Sequence, residues 1–546
     1  MSQKTCCVIG AGVAGLAATK HCLEEGIIPV CYEKDIDIGG LWLYHNEKSK
    51  DTDPSLYNSC SINTSKEMTC FSDFPIPRDF PNFMHHTHFR RYLDLYTENF
   101  QLRKYIKLQT KVEKVEKAEN FEETGQWVVT VQDLRTNKQT KTKFDFVMVC
   151  NGHLTEPLRP ELPGLRDFKG KVIHTHDYKD FRGFEGKNIL VVGMGNSAAD
   201  VACELSRHAK HVYVSTRRGA YCIQRAGERG QPFDHVAITR FRQCLPHHLM
   251  RPYHFYKLNF RYDHKKYGLA PKHNFESAAV TISDDLPNRV LLGSMSIHED
   301  VDRFTENGVK FEDGSQLEDI DVVILGTGYT YSFPFLDESV IKREGHFSYL
   351  YKLVWPTELH PSTLAVIGLV QPFGPLPPIL EIQSRWATQV FAGHSKLPPQ
   401  QTMLNAVEKW REFVKKKYVD SPRYSLQIYF IQYIDEVSKF IGCRPNFWKY
   451  FFTDPKLFYR VVFCAATPPQ WRLEGHGRWK DARAAIEGVE ERTWYPMKTR
   501  KCGEHEADGL YDGWVALFKK LCVVVVAFLV MRFLLSNGYH TFLVKN

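Results

Sequence analysis

Fourteen cysteines in 546 residues include no Cys-x-x-Cys pair and no paired Cys/His spacing, which excludes a zinc ribbon or finger and a dithiol redox motif. Cys6, Cys7, Cys31 and Cys150 lie in or beside apolar, strand-like runs, where buried free thiols are common, so the expected compartment is reducing and cytosol-facing. A leader peptide is equally wanting. Thr5 to Ile9 reads as a first strand and leaves no room for a basic segment, an apolar segment and a cleavage site. There is no tandem repeat or low-complexity tract, and no excess of one charge. Lys and Arg number 71 against 63 Asp and Glu, a net charge of +8. The basic residues are dispersed, which argues against a nucleic-acid reader and leaves anionic small molecules or an anionic membrane surface as partners. A mean hydropathy of −0.36 excludes a polytopic membrane protein, yet Leu521 to Met531 is an uninterrupted apolar run near the C-terminus.

What is present is an ordinary globular composition, 43% apolar and 25% charged with 35 Gly and 28 Pro, on a chain long enough for three to four domains. Its first forty residues read strand, glycine turn, helix, strand. Gly10, Gly12 and Gly15 follow the strand and open the helix, and Glu33 ends the next strand. That is the dinucleotide fingerprint in its required context. Gly10 permits the tight turn, Gly12 lets backbone approach a pyrophosphate at the helix N-terminus, Gly15 allows close packing, and Glu33 accepts ribose hydroxyls. An acid there disfavours a ribose phosphate, so the expected ligand is FAD or NAD, and the N-terminal position fits FAD.

A second unit of the same grammar spans about 188–216, with Gly193, Gly195 and Ala198 as the turn. Asn196 and Ser197 open its helix, where a phosphate would sit. Its second strand ends in Arg217 and Arg218 in place of an acid, guanidinium groups that suit a 2′-phosphate and select NADPH. A solvated basic turn is the plain alternative. One acid-ended and one Arg-ended fingerprint imply hydride transfer from NADPH to flavin. An irregular segment, 219–287, follows the second unit and reads either as an inserted subdomain or as a surface excursion without a role.

Phe168, Gly170, His174 and Tyr178 match the FxGxxxHxxx(Y/F) signature of the flavin-containing monooxygenases, and the sequence resembles that family, in its animal microsomal branch, over about residues 4–535. The similarity includes Glu33 to Trp42, Asn63 to Met68, Gly326 to Tyr329, Gln371-Pro372 and Gln383 to Ala387. Ala198 stands where the family has a third glycine, and Gly326 where its Ala-Thr-Gly motif has alanine. The resemblance implies an α/β fold with two Rossmann-like dinucleotide-binding domains. The FAD domain is discontinuous (1–155 and 331–443), as is the NADPH domain (156–218 and 288–330). The inserted subdomain covers 219–287, a C-terminal region 444–512 and a membrane-anchoring helix 513–535.

The resemblance further implies that O2 forms a C4a-hydroperoxyflavin which soft nitrogen and sulfur centres of small lipophilic molecules attack. Asn63 would hold its amide near the flavin and NADP+; as a residue it reads equally as a cap for the turn at Thr64. Gly40, Leu41, Trp42, Thr64, Thr327 and Gly328 join the implied cofactor-binding positions. Tyr178, where classical Baeyer–Villiger enzymes carry Trp, favours heteroatom oxygenation. A Baeyer–Villiger enzyme, an NADPH oxidase, and a membrane scaffold with a structural flavin remain alternatives, and the oligomeric state stays open. No metal is expected, because His85, His86 and His88 lack helical metal spacing and read as a polar loop after Pro81. The tail is short of the roughly 20 apolar residues of a simple span, but Lys519, Lys520 and Arg532 suit snorkelling at an interface. The resemblance places it in the endoplasmic reticulum membrane with the catalytic domains facing the cytosol.

Overall fold

The computed structural model describes residues 3–500, apart from Lys48 and Asp420. Residues up to Thr493 form one compact unit, and Trp494–Arg500 belong to a second. The expected anchor at 513–535 lies outside the described residues, and among those described no helix is long and apolar enough to cross a membrane.

Two five-stranded parallel sheets organise the larger unit. The first uses β1 (Thr5–Ile9), β2 (Ile28–Tyr32), β3 (Ile106–Lys107) and β4 (Phe146–Val149). The second uses β5 (Lys171–His174), β6 (Asn188–Val192), β7 (His211–Ser215), β8 (Met295–His298) and β9 (Val322–Leu325). Then β10 (Leu364–Val366) returns to the first sheet, which runs β10-β4-β1-β2-β3, while the second runs β8-β7-β6-β9-β5. The central strands are apolar on both faces, Cys6, Cys7 and Val8 being inaccessible, as expected of parallel strands covered on both sides.

Each sheet carries a helix straight after its central strand: α1 (Val13–Glu24) follows β1, and α2 (Asn196–Leu205) follows β6. Small residues set how close they lie. A Cβ on Gly15 would stand 1.7 Å from the Gly10 carbonyl oxygen, so only glycine lets α1 pack against its own turn. A third helix, α3 (Pro377–Phe391), packs on α1. At their junction Lys20 meets Asp73 and Glu24, and Arg472 meets Asp73 and Glu381. Arg472 and Glu381 are both almost fully buried, so the region after 444 plugs into the first sheet's helical layer.

The histidine-rich stretch corrects the sequence reading. His86–Asn99 is a helix, and His85 is its N-cap, accepting the Thr87 amide. An imidazole nitrogen does here what a Ser or Asp oxygen usually does, which hid the helix start.

Candidate functional site

Both glycine turns end in helices capped by glycine. Gly12 caps α1 and Gly195 caps α2, each in extended conformation and without a side-chain cap. The leading amides of a helix have no intrahelical partner, so these two N-termini present donors and a positive dipole end, as a pyrophosphate requires. Space is provided too: a Cβ at Gly195 would meet nothing within 4 Å, whereas Gly12 and Gly40 face one another, a Cβ on Gly40 standing 3.0 Å from the Gly12 Cα. The 3-10 turn Gly40–Trp42 is held by the Gly39 amide on the Ala11 carbonyl and by Trp42 against Phe89. The cradle fits a dinucleotide that approaches backbone to backbone, and the second turn repeats it.

Glu33 stands at the end of β2. Its carboxylate accepts the Ala11 amide at 2.6 Å and the Asp35 amide at 2.9 Å, so it fixes the first glycine turn. Burial pushes its carboxyl above the usual range. Arg217 and Arg218 follow β7 in the corresponding place, Arg217 exposed and Arg218 half-buried. Thr327 and Gly328 lie where β9 leads into Tyr329–Thr330, which pairs with Glu156–Pro157. The Thr327 hydroxyl donates to the Leu158 carbonyl, fastening one of the two crossings between the sheets.

Asn63 does not cap its turn. Ser65 occupies the cap position of the short helix Lys66–Thr69, and the Asn63 amide oxygen accepts Arg225 Nη2 at 2.8 Å. Arg225 in turn grips Asp284 through Nη1 at 2.8 Å. Two residues on, the Ser65 amide donates to Asp234 at 2.7 Å, a carboxylate buried among the chain and raised by that burial. Thr64 pairs with Thr69, hydroxyl to hydroxyl, at 2.8 Å.

Arg225, Asp234 and Asp284 all belong to the irregular segment 219–287. That segment also reaches the second turn, where the Asn196 amide oxygen accepts the Ile282 amide at 2.8 Å and the Thr281 hydroxyl donates to the Met194 carbonyl. The insert is therefore no idle excursion: it holds Asn63 and Ser65 with one part and Met194 and Asn196 with another. These residues were invisible in the sequence because their contacts with Asn63, Ser65, Met194 and Asn196 are made across more than 80 positions by side chains of common types. Buried polar atoms without a partner, Arg225 Nε and His235 Nε2, lie in the same group, as a site built for a polar ring would leave them.

The signature residues tie the sheets together. The Tyr178 hydroxyl donates to Glu204 at 2.9 Å, Ser59 to the same carboxylate at 2.7 Å, and Tyr57 to Asp200 at 2.8 Å. Asp200 and Glu204 are one turn apart on α2, so the helix whose N-terminus faces the second nucleotide also carries the segment that leads to Asn63. Phe168 packs on Phe304, and His174 is inaccessible.

A family model described as flavin-binding monooxygenase-like matches residues 3–533. The chain is 46% identical to flavin-containing monooxygenase 5 of Rattus norvegicus, covering 92% of this chain and 94% of the relative. It is 43% identical to N-oxide-forming dimethylaniline monooxygenase 2 of Oryctolagus cuniculus over 91% and 94%. Among solved structures, S-allyl-L-cysteine S-oxygenase from Allium sativum superposes with a TM-score of 0.64 at 23% identity, covering 90% of this chain and 99% of that one. A closed crystal structure of cyclohexanone monooxygenase gives 0.57 at 17%, over 80% and 97%. At those identities the two structures show the fold.

Proposed function

The chain belongs to the flavin-binding monooxygenase-like family and is an NADPH-dependent flavin monooxygenase, and on that premise we propose that it oxygenates soft nitrogen and sulfur centres of small lipophilic molecules. FAD, when bound, would supply the redox chemistry, acceptance of hydride and activation of O2. The protein binds, orients and excludes water. The Gly12-capped turn and Glu33 hold the FAD pyrophosphate and ribose, and the Gly195-capped turn with Arg217 and Arg218 holds NADPH. Arg225 fixes the side-chain oxygen of Asn63, which leaves its amide N–H groups to be aimed at the flavin edge and the nicotinamide. No side chain has to remove a proton from a soft nucleophile that brings its own lone pair, so the chain's part is orientation and desolvation.

One observation carries this reading: the segment that pins Asn63 also binds Met194 and Asn196, so a single element joins the Asn63 position to the second glycine turn. Heteroatom oxygenation is favoured over insertion beside a ketone because Tyr178, not Trp, ends the signature and uses its hydroxyl on Glu204. Purified enzyme given NADPH, O2 and either a thioether or a simple ketone tests this. Sulfoxide in step with NADPH consumption is expected; ester from the ketone with no sulfoxide overturns it.

We also propose that residues 513–535 anchor the protein in the endoplasmic reticulum membrane with the nucleotide-binding sheets on the cytosolic side. Support comes from sequence alone, the apolar run Leu521 to Met531 with Lys519, Lys520 and Arg532 around it. Alkaline carbonate should leave the full chain in the membrane pellet and release a form ending at 512; equal release of both defeats the proposal.

A further inference from the structure

At the end of α1 opposite its glycine cap, three side chains converge on one point. Glu25 is the C-cap of α1, His394 follows α3, and His476 follows the 3-10 turn Pro468–Arg472. His394 Nδ1 lies 2.9 Å from one Glu25 carboxylate oxygen and His476 Nε2 lies 2.8 Å from the other. The three potential ligand atoms all lie within 4.8 Å of one another. The Glu25 side chain is only 5% exposed, while the imidazoles are 58% and 56% exposed. A carboxylate is held at the floor, and two rings open outward above it.

We propose that Glu25, His394 and His476 form a three-ligand site for a divalent cation of the zinc class, with the remaining position open to water. Two imidazoles and one carboxylate are a donor set that such ions accept. In a tetrahedral shell with bonds of about 2.0–2.1 Å, neighbouring ligand atoms sit about 3.3 Å apart. The two imidazoles meet different oxygens of the Glu25 carboxylate, so an ion between them would take one or both of those oxygens, each present N···O contact widening by about half an ångström as a hydrogen bond gives way to metal bonds.

The scaffold under the ligands is rigid. His476 stands between Gly475 and Gly477, at φ of +72° and +73°, and a Cβ on Gly475 would stand 2.2 Å from the Gly442 carbonyl oxygen. Its own carbonyl accepts Arg385 at 3.2 Å, and that of Gly477 accepts Arg472 at 2.8 Å. Ligands held by a supporting shell lose little entropy on binding. The ion would also sit at the C-terminal, negative end of α1, where a cation is favoured. Nearby cations are already matched: Lys20 by Glu24 and Asp73, and Arg472 by Glu381 and Asp73.

The second triad of this kind, Asp51, His176 and Asp177, differs in that Arg159 already bridges its two carboxylates at 2.9 and 3.1 Å. A guanidinium fills the place a cation would take. No such group enters the Glu25 site among the described contacts.

The test is calorimetric titration of the holoenzyme with Zn2+ after removal of adventitious metal, for the natural chain and for His394→Ala and His476→Ala. Both rings are more than half exposed, so these variants should keep their flavin spectrum, and loss of one hydrogen bond to Glu25 should lower the metal-free melting point only slightly. The natural chain should bind one equivalent that each variant binds at least about tenfold more weakly, the low end of losses seen even for outer-shell partners. Zn2+ should raise the melting point of the natural chain alone, since it ties three segments together. Glu25→Gln should weaken binding in the same way. Equal Zn2+ affinity in all four proteins, or no binding by the natural chain, overturns the proposal.

Discussion

Gly326 and Ala198 make a quantitative test of how the second glycine turn is built. A Cβ on Gly326 would stand 2.6 Å from the Ala198 Cβ and 3.2 Å from the Val192 carbonyl oxygen. Carbon atoms in contact prefer about 3.5–4.0 Å, so Gly326→Ala must displace the first turn of α2 or the end of β9. Overpacking of this kind costs about 1–3 kcal/mol. At an unfolding entropy of about 2.1 cal/mol/K per residue, a unit that runs to Thr493 shifts by about 1 °C for each kcal/mol, so the melting point should fall by about 1–3 °C. Ala198→Gly alone should cost at most about 1 kcal/mol, the helix-propensity difference. Combined, the two changes remove the colliding methyl and should restore most of the loss, a coupling of about 1–3 kcal/mol. Flavin fluorescence during heating at one fixed scan rate gives the midpoints, and NADPH affinity should follow the same order because the strained atoms border the Gly195 cap. If Gly326→Ala melts with the natural enzyme, or if the two changes simply add, the proposed steric exchange is refuted.

Arg217→Ala should narrow the preference for NADPH over NADH by about 10–100-fold in kcat/KM, the worth of a charged hydrogen bond of about 1.5–3 kcal/mol; an unchanged ratio would place the 2′-phosphate elsewhere. Arg225→Ala frees Asn63 and leaves Asp284 only the backbone amide of residue 225, so NADPH oxidation should continue while product formed per NADPH drops, with Arg225→Lys intermediate; parallel assays of NADPH and sulfoxide decide it. Stability should fall in acid between about pH 6.5 and 4. Burial holds His86 and His174 at about 4, and the His174 Nδ1 that accepts the His176 amide at 3.0 Å cannot also be protonated. The unfolded chain therefore takes up more protons across that window, and full stability is present only above it. Melting points at pH 7.5 and 5 should differ less for His174→Asn than for the natural chain.

Local periodicity and glycine spacing made both central strands and both glycine turns legible from sequence, because each rests on neighbours within about thirty residues; the return of Leu364–Val366 to the first sheet, beside Val147–Val149, was expected through the family resemblance. The two departures at Ala198 and Gly326 were legible as well, but as separate oddities; only three dimensions show that a methyl has moved from one side of a single contact to the other. Asn63 was found through its resemblance to a family position, whereas its partner Arg225 was not, since 162 residues separate them and no pattern marks an arginine in an irregular segment. Glu33 shows the same limit in miniature. Its place at the strand end suggested a ribose contact, and the structure adds that its carboxylate first satisfies the amides of Ala11 and Asp35.

An enzyme that oxygenates a soft nucleophile with two nucleotides must couple flavin reduction by NADPH to formation of the oxygenated product. Purified enzyme mixed with NADPH without oxygen, then with O2 and a thioether, tests it in one experiment. The account predicts that NADPH bleaches the flavin absorbance, and that O2 restores it with one sulfoxide formed per NADPH consumed. A flavin that NADPH does not bleach, or one that reoxidises to yield only hydrogen peroxide, would contradict it.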